Sequence, residues 1–246
     1  MGYVSNAARM FFGGPATKSV RALIWANVAV FVLQMVGEAA GIRSLVATFA
    51  LIPWRVTHEL ALWQFASYMF LHGGVFHILF NMITLYMFGN DLERTWGTPR
   101  FLKYYFATGI GAGLCSWLAG PSSMAAIIGA SGAIYGILLA YGLMYPDRIV
   151  YLNFLLPIKV KWMVLIMGAV AFLSSLTGGT PGVAHVAHLG GMVVGYIMLR
   201  GRRWTERLRA FSSNRRRAAL KRQFEVYYGD VRRKIEEDKK KGPTIH

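Results

Sequence analysis

Cysteine is nearly missing from this chain. Among 246 residues there is one, Cys115, so no intramolecular disulfide can form and cysteine usage says nothing about redox compartment. Cys115 stands in an apolar helical run with no base or cation beside it, which reads as a small buried hydrophobe and not as a nucleophile. Acidic residues are scarce too: 11 Asp and Glu stand against 27 Lys and Arg, a net charge of +16. The opening stretch, MGYVSNAARMFFGG, has no continuous apolar segment leading to a small-residue cleavage site, so no cleavable signal peptide is expected. Asn6 stands where a myristoylation pattern needs Ser or Thr. His58-Glu59 begins like the zinc motif H-E-x-x-H, but Leu62 occupies the second histidine position, and the motif fails.

What is present is hydrophobic. Apolar residues make up 55% of the chain and the mean hydropathy is +0.40, more apolar than an ordinary soluble domain. Apolar runs near bilayer-spanning length fall at Val20–Val36, Gly74–Leu92, Phe101–Leu118, Ser131–Tyr145, Val160–Leu176 and His185–Leu199. The expected fold class is an all-α membrane protein, a bundle of six transmembrane helices. Three segments follow: residues 1–18, a core over 19–200, and a basic tail over 201–246. Threading the chain through those spans puts 25 Lys and Arg on one side, sixteen of them from Arg200 onward, and leaves only Arg43 and Arg55 on the other. The positive-inside rule then makes both termini cytoplasmic. The first loop, residues 37–73, is long and apolar. It is expected to dip into the outer leaflet, with Trp54, Trp63 and Tyr68 at the interface.

Polar groups inside spans are costly and usually functional. Four positions stand out at the outer ends of the second, fourth and sixth spans: His77, Asn81, Ser131 and His188. His77 and Asn81 are spaced i, i+4 and share a helix face. Ser131 lies in GASGAIYG between Gly129 and Gly132, where a helix N-terminus offers backbone N–H groups to a developing oxyanion. His188 opens HLGGMVVG, with Gly191 and Gly195 on its face and a matching glycine surface, including Gly136, around Ser131. Close packing would bring His188 within reach of Ser131, and Tyr135, one turn on, could stack on its ring. Each feature also has a structural explanation. Small residues form packing faces, Asn and His make interhelical hydrogen bonds, and Tyr135 suits an interface. Together, a Ser–His pair with convergent donors is the minimum set for acyl transfer. No carboxylate is well placed to orient the histidine: Glu38 and Glu59 lie outside the core, and Asp91, Glu93 and Asp147 lie at the far ends. The set implies a dyad.

In these motifs the chain resembles the rhomboid family of intramembrane serine proteases. HGGVFHILFN, LERTWG, GASGAIYG and AHLGGMVVG occur in order along residues 19–200. The resemblance implies that Ser131 is the nucleophile and His188 the base, with His77, Asn81 and the Ser131 N–H as the oxyanion hole. It implies that Tyr135 packs on the catalytic histidine and that Glu93 and Gly97 form a structural E-x-x-x-G motif. Substrates would be transmembrane helices of other proteins, cut near the outer end, with small side chains at the cut near Gly129 and Gly132. Helix-destabilising Gly or Pro would help such a segment open. Many members carry Trp-Arg in the first loop where this chain has Trp63-Gln64. Ala130 replaces the proline that marks some inactive relatives.

Three rival readings stay open on sequence. A catalytically dead adaptor of the same fold would bind membrane clients, but the complete Ser131/His188 pair argues against it. A transporter relaying protons through histidines would place polar groups throughout the bundle depth. A metalloprotease lacks its motif, and His185 with His188 at i, i+3 find no carboxylate to complete a site. No metal or other cofactor is expected. The basic tail suits anionic lipid headgroups, and no nucleic-acid partner is expected. The expected location is a bacterial plasma (inner) membrane.

Overall fold

The protein is described by a computed structural model over residues 14–41, 44–152, 156–176 and 185–201. The chain divides into two compact units, Met1–Met198 and Leu199–His246. Of the second, only residues 199–201 are described, so all but the first residue of the basic tail expected over 201–246 lies outside the described residues.

Each apolar run singled out in the sequence is helical. Helix α1 spans Lys18–Ala39. The first loop folds into α2 (Ser44–Phe49), α3 (Pro53–Glu59), α4 (Gln64–Ser67) and a 3₁₀ turn, Tyr68–Phe70. Helix α5 (Val75–Trp96) contains a π-helical turn at Leu85–Gly89. Then come α6 (Thr98–Ala119), α7 (Ser131–Met144), strands β1 (Ile149–Leu152) and β2 (Leu156–Lys159), α8 (Val160–Leu176) and α9 over residues 185–201. Among the described residues, α1 alone is by itself long and apolar enough to cross a membrane. Gln64–Phe70 with α5 passes as one path bent by 97°, and α7 and α8 are apolar but shorter.

The hairpin is a departure from the all-α expectation. Ile149, Val150 and Tyr151 are β-branched or aromatic residues suited to a pleated surface, and they pair antiparallel with Lys159, Ile158 and Pro157. In a two-stranded sheet every strand is an edge, so Pro157 costs little.

Buried polar groups tie the helices together. Glu93, 4% exposed, accepts hydrogen bonds from the Thr17 and Thr98 hydroxyls and from the Ser19 and Val20 N–H groups. A carboxylate thus satisfies orphan donors at the start of α1, where the helix dipole favours negative charge. Gly97, at φ +80°, ends α5 so that α6 can begin at once. Outside, α8 leaves Leu165, Ile166, Val170, Phe172 and Leu173 more than half exposed. Hydrocarbon tolerates such an exterior, whereas water does not.

The first loop differs from the expected interfacial belt. Tyr68 is 1% exposed, and its hydroxyl donates to the Gly109 carbonyl at 2.7 Å, so it is core. Trp63 remains exposed. Gln64 is fully buried: its Oε1 accepts from the Ile52 N–H and its Nε2 donates to the Thr48 carbonyl. A neutral amide therefore ties the loop together. Cys115 is half-buried, with its Cβ 2.6 Å from where a Cβ on Gly190 would fall.

Candidate active site

Ser131 is the first residue of α7, so its N–H belongs to a first turn without intrahelical acceptors. His188 lies in α9, three residues after its first described residue, His185. Its Nε2 stands 2.8 Å from Ser131 Oγ. Glycine makes this approach possible. A Cβ on Gly191 would fall 2.0 Å from the Gly132 carbonyl oxygen, and one on Gly132 would fall 2.5 Å from Ala112 Cβ. The rest of the glycine stripe packs elsewhere: Gly195 faces the Tyr104 hydroxyl, and Gly136 faces Thr108 of α6, not α9 as the sequence pattern suggested. Tyr135 stacks on His188 with ring centres 4.3 Å apart and planes 5° apart. His185 meets the same ring edge-on at 6.0 Å.

His77 and Asn81 come from the start of α5. The Gly73 N–H donates to His77 Nδ1 at 3.3 Å. Nδ1 is then the acceptor, and in the neutral ring the proton sits on Nε2. That Nε2 faces Gly129, where an added Cβ would lie 2.8 Å away. Gly129 also holds φ +118°, which only glycine adopts without strain. Its N–H donates to the Tyr68 carbonyl at 2.9 Å. A further anchor, Leu51 paired with Ile127, holds the segment before Ser131 to the first loop. Asn81, 6% exposed, donates one amide N–H to the His77 carbonyl at 3.0 Å.

No carboxylate among the described residues hydrogen-bonds His188 or His77. Asp91 takes Tyr141, Arg94 and Arg148, and Asp147 takes Lys159 and Lys161. The seven residues named from sequence thus gather around one point: Ser131, His188 and Tyr135 in contact, His77 beside Gly129, Asn81 one turn deeper, and Gly132 under Gly191.

Two neighbours escape the sequence reading. His72 is 2% exposed and packs edge-on against His77 with ring centres 5.0 Å apart. Its Nδ1 donates to the Phe70 carbonyl at 3.3 Å, and its Nε2 is buried with no partner. Burial, with His77 alongside, pushes its imidazole down to about 4. Gln34, 4% exposed, clasps the backbone of His72. The signal for Gln34 was present, since it interrupts the apolar run VFVLQMV just as Asn81 interrupts its own.

The Rhomboid domain family model matches residues 59–203, more than half of the chain. The chain therefore belongs to the rhomboid family and is an integral membrane protein. It is 36% identical to RHOMBOID-like protein 4 of Arabidopsis thaliana over 137 residues, which cover 55% of this chain and 33% of that protein. RHOMBOID-like protein 5 of the same plant is 33% identical over 144 residues, 58% of this chain and 45% of that protein. Rhomboid protease GlpG of Yersinia pestis is 25% identical over 186 residues, 75% and 62% of the two chains. The matches span a third to under two thirds of those relatives' lengths. Plant and bacterial relatives both appear, so the likeness does not single out a bacterial membrane.

Proposed function

We propose that this chain is an intramembrane serine endopeptidase that cuts transmembrane segments of other membrane proteins near their non-cytoplasmic end. The observation that carries the reading is the 2.8 Å contact between His188 Nε2 on α9 and Ser131 Oγ at the start of α7. Ser131 Oγ attacks the scissile carbonyl as its proton passes to His188 Nε2. The resulting oxyanion takes hydrogen bonds from the Ser131 N–H, His77 Nε2–H and Asn81. Collapse breaks the C–N bond, and His188 gives its proton to the leaving amine. Water, deprotonated by His188, then releases the acyl group. Stacking on Tyr135 orients the imidazole in place of a carboxylate.

The supporting architecture is a six-span core over 19–200 with both termini cytoplasmic, a short segment 1–18 and the basic tail 201–246 on anionic headgroups. The family assignment, the helical runs and the 25-to-2 division of Lys and Arg support it. A substrate helix must unwind before its amides are accessible, so Gly or Pro near the cut favours cleavage.

The test is cleavage of a model transmembrane substrate together with labelling by a serine-reactive fluorophosphonate. Ser131→Ala and His188→Ala are each expected to abolish cleavage and labelling in protein that still inserts. Because the dyad uses no metal, EDTA is expected to leave turnover unchanged. Full activity in either variant overturns the mechanism, and a parent chain that binds substrates but never labels makes it an adaptor.

A further inference from the structure

We infer that Gln34, on a helix that carries none of the proposed catalytic groups, is a positioning residue for the oxyanion hole, acting through the backbone of His72 and Gly73 on His77. The inference rests on the protease reading above. The side-chain amide of Gln34 faces the His72 backbone as a strand partner would. The His72 N–H donates to Gln34 Oε1 at 3.0 Å, and Gln34 Nε2 donates to the His72 carbonyl at 3.3 Å. Both residues are buried, Gln34 4% and His72 2% exposed. The pairing fixes the amide's orientation, since only one assignment satisfies both bonds.

The clasp sits on the short connection between the 3₁₀ turn and α5. Backbone groups there have no helix to satisfy them, and a buried unpaired N–H or carbonyl is costly. Gln34 supplies both partners from across the fold, 38 residues away in sequence. The next residue, Gly73, donates its N–H to His77 Nδ1. That bond keeps Nδ1 unprotonated and so keeps the proton on Nε2, the atom that faces Gly129. The His72 ring, packed edge-on against His77, gives the same backbone a second hold on it. Without the clasp the connection moves to find other partners, the Gly73 N–H leaves His77, and the ring is free to take the other tautomer. His77 would then present a lone pair, not a donor, to the developing oxyanion.

The experiment measures kcat and KM per titrated active site, with thermal midpoints, for Gln34→Met in the parent and in a His77→Ala background. Met keeps the length and apolar burial but removes donor and acceptor. Removing one oxyanion donor outright typically costs about 100- to 1,000-fold, so loosening one is expected to lower kcat by about 10- to 100-fold, with KM within about twofold. In the His77→Ala background the same substitution is expected to cost less than about twofold, the signature of two residues acting as a unit. Gln34→Asn keeps the amide but draws it back by one methylene, and it carries the same test should the Met variant fail to insert. An equal loss in both backgrounds overturns the inference, as does an unchanged kcat in the parent. Cleavage by Ser131→Ala in the same assay would overturn the protease reading itself, and this inference with it.

Discussion

An oxyanion needs donors that are already in place when its charge appears, and in the proposed hole each candidate donor is held by a different device. The Ser131 N–H is held by the start of a helix. His77 Nε2–H is held by a backbone N–H on the opposite ring nitrogen. Asn81 spends one amide N–H on the His77 carbonyl, which restricts its rotamer and, on the proposed mechanism, leaves the second for substrate. Gly129 completes the set by absence, since any side chain there would collide with His77 Nε2. His77→Ala and Asn81→Ala are each expected to lower turnover by about 100- to 1,000-fold. The double variant is expected to fall short of the product, because both serve one oxygen. Turnover per labelled site, read beside a melting curve, checks this. Normal per-site turnover with a collapsed midpoint would return both residues to a structural role.

At the scale of the element, the site depends on how closely α7 and α9 approach. The contact between Gly191 and the Gly132 carbonyl is backbone against backbone, and a methyl group placed 2.0 Å from that oxygen has nowhere to go. Gly191→Ala is expected to push the helices apart, lengthen the 2.8 Å contact between His188 and Ser131, and cost about 1–3 kcal/mol of stability. Turnover is expected to fall by about 100-fold, since misplacement by about 1 Å costs that much. At Gly195 the obstacle is the end of a side chain, the Tyr104 hydroxyl, so Gly195→Ala is expected to lower the midpoint but hold turnover within about tenfold. Circular dichroism melts and steady-state assays separate the two. Much of this element was legible in the sequence, because helical periodicity puts His188, Gly191 and Gly195 on one face and small residues permit close approach. The partner of each glycine was not, because a helix with small residues on several faces fits several neighbours. Gly136 therefore meets Thr108 on α6. Tyr68 and Gln34 were obscured for a related reason. An aromatic near a helix end and an amide in an apolar run each fit two environments, and only the tertiary partner decides between them. The hairpin went unseen because four-residue apolar strands carry too little periodicity to outweigh a loop assignment.

At the scale of the molecule, the candidate site and the ion pairs of Asp91 sit at opposite ends of the same helices among the described residues. Helix α7 begins at Ser131 and ends beside Tyr145, whose hydroxyl is 3.0 Å from Thr95 Oγ1 near the end of α5. Helix α5 begins by His77 and Asn81 and reaches Asp91, which holds Arg148 at 2.8 Å beyond the end of α7. At about 1.5 Å of rise per residue, α7 separates the two ends by roughly 20 Å. If the basic end is cytoplasmic, cleavage occurs near the opposite surface and the first loop, tied to the segment before Ser131, faces outward with it. Single-cysteine variants in a Cys115→Ser background test this with a membrane-impermeant maleimide on intact spheroplasts. Glu59→Cys is expected to label from outside. Asp147→Cys, whose parent side chain is 65% exposed, and Lys239→Cys are expected to label only after permeabilisation. Labelling of Glu59→Cys and Asp147→Cys from the same side would break the odd number of crossings that α5, α6 and α7 make between them. A reversed pattern would keep the crossings but turn the molecule over, placing the dyad near the cytoplasmic ends of its substrates.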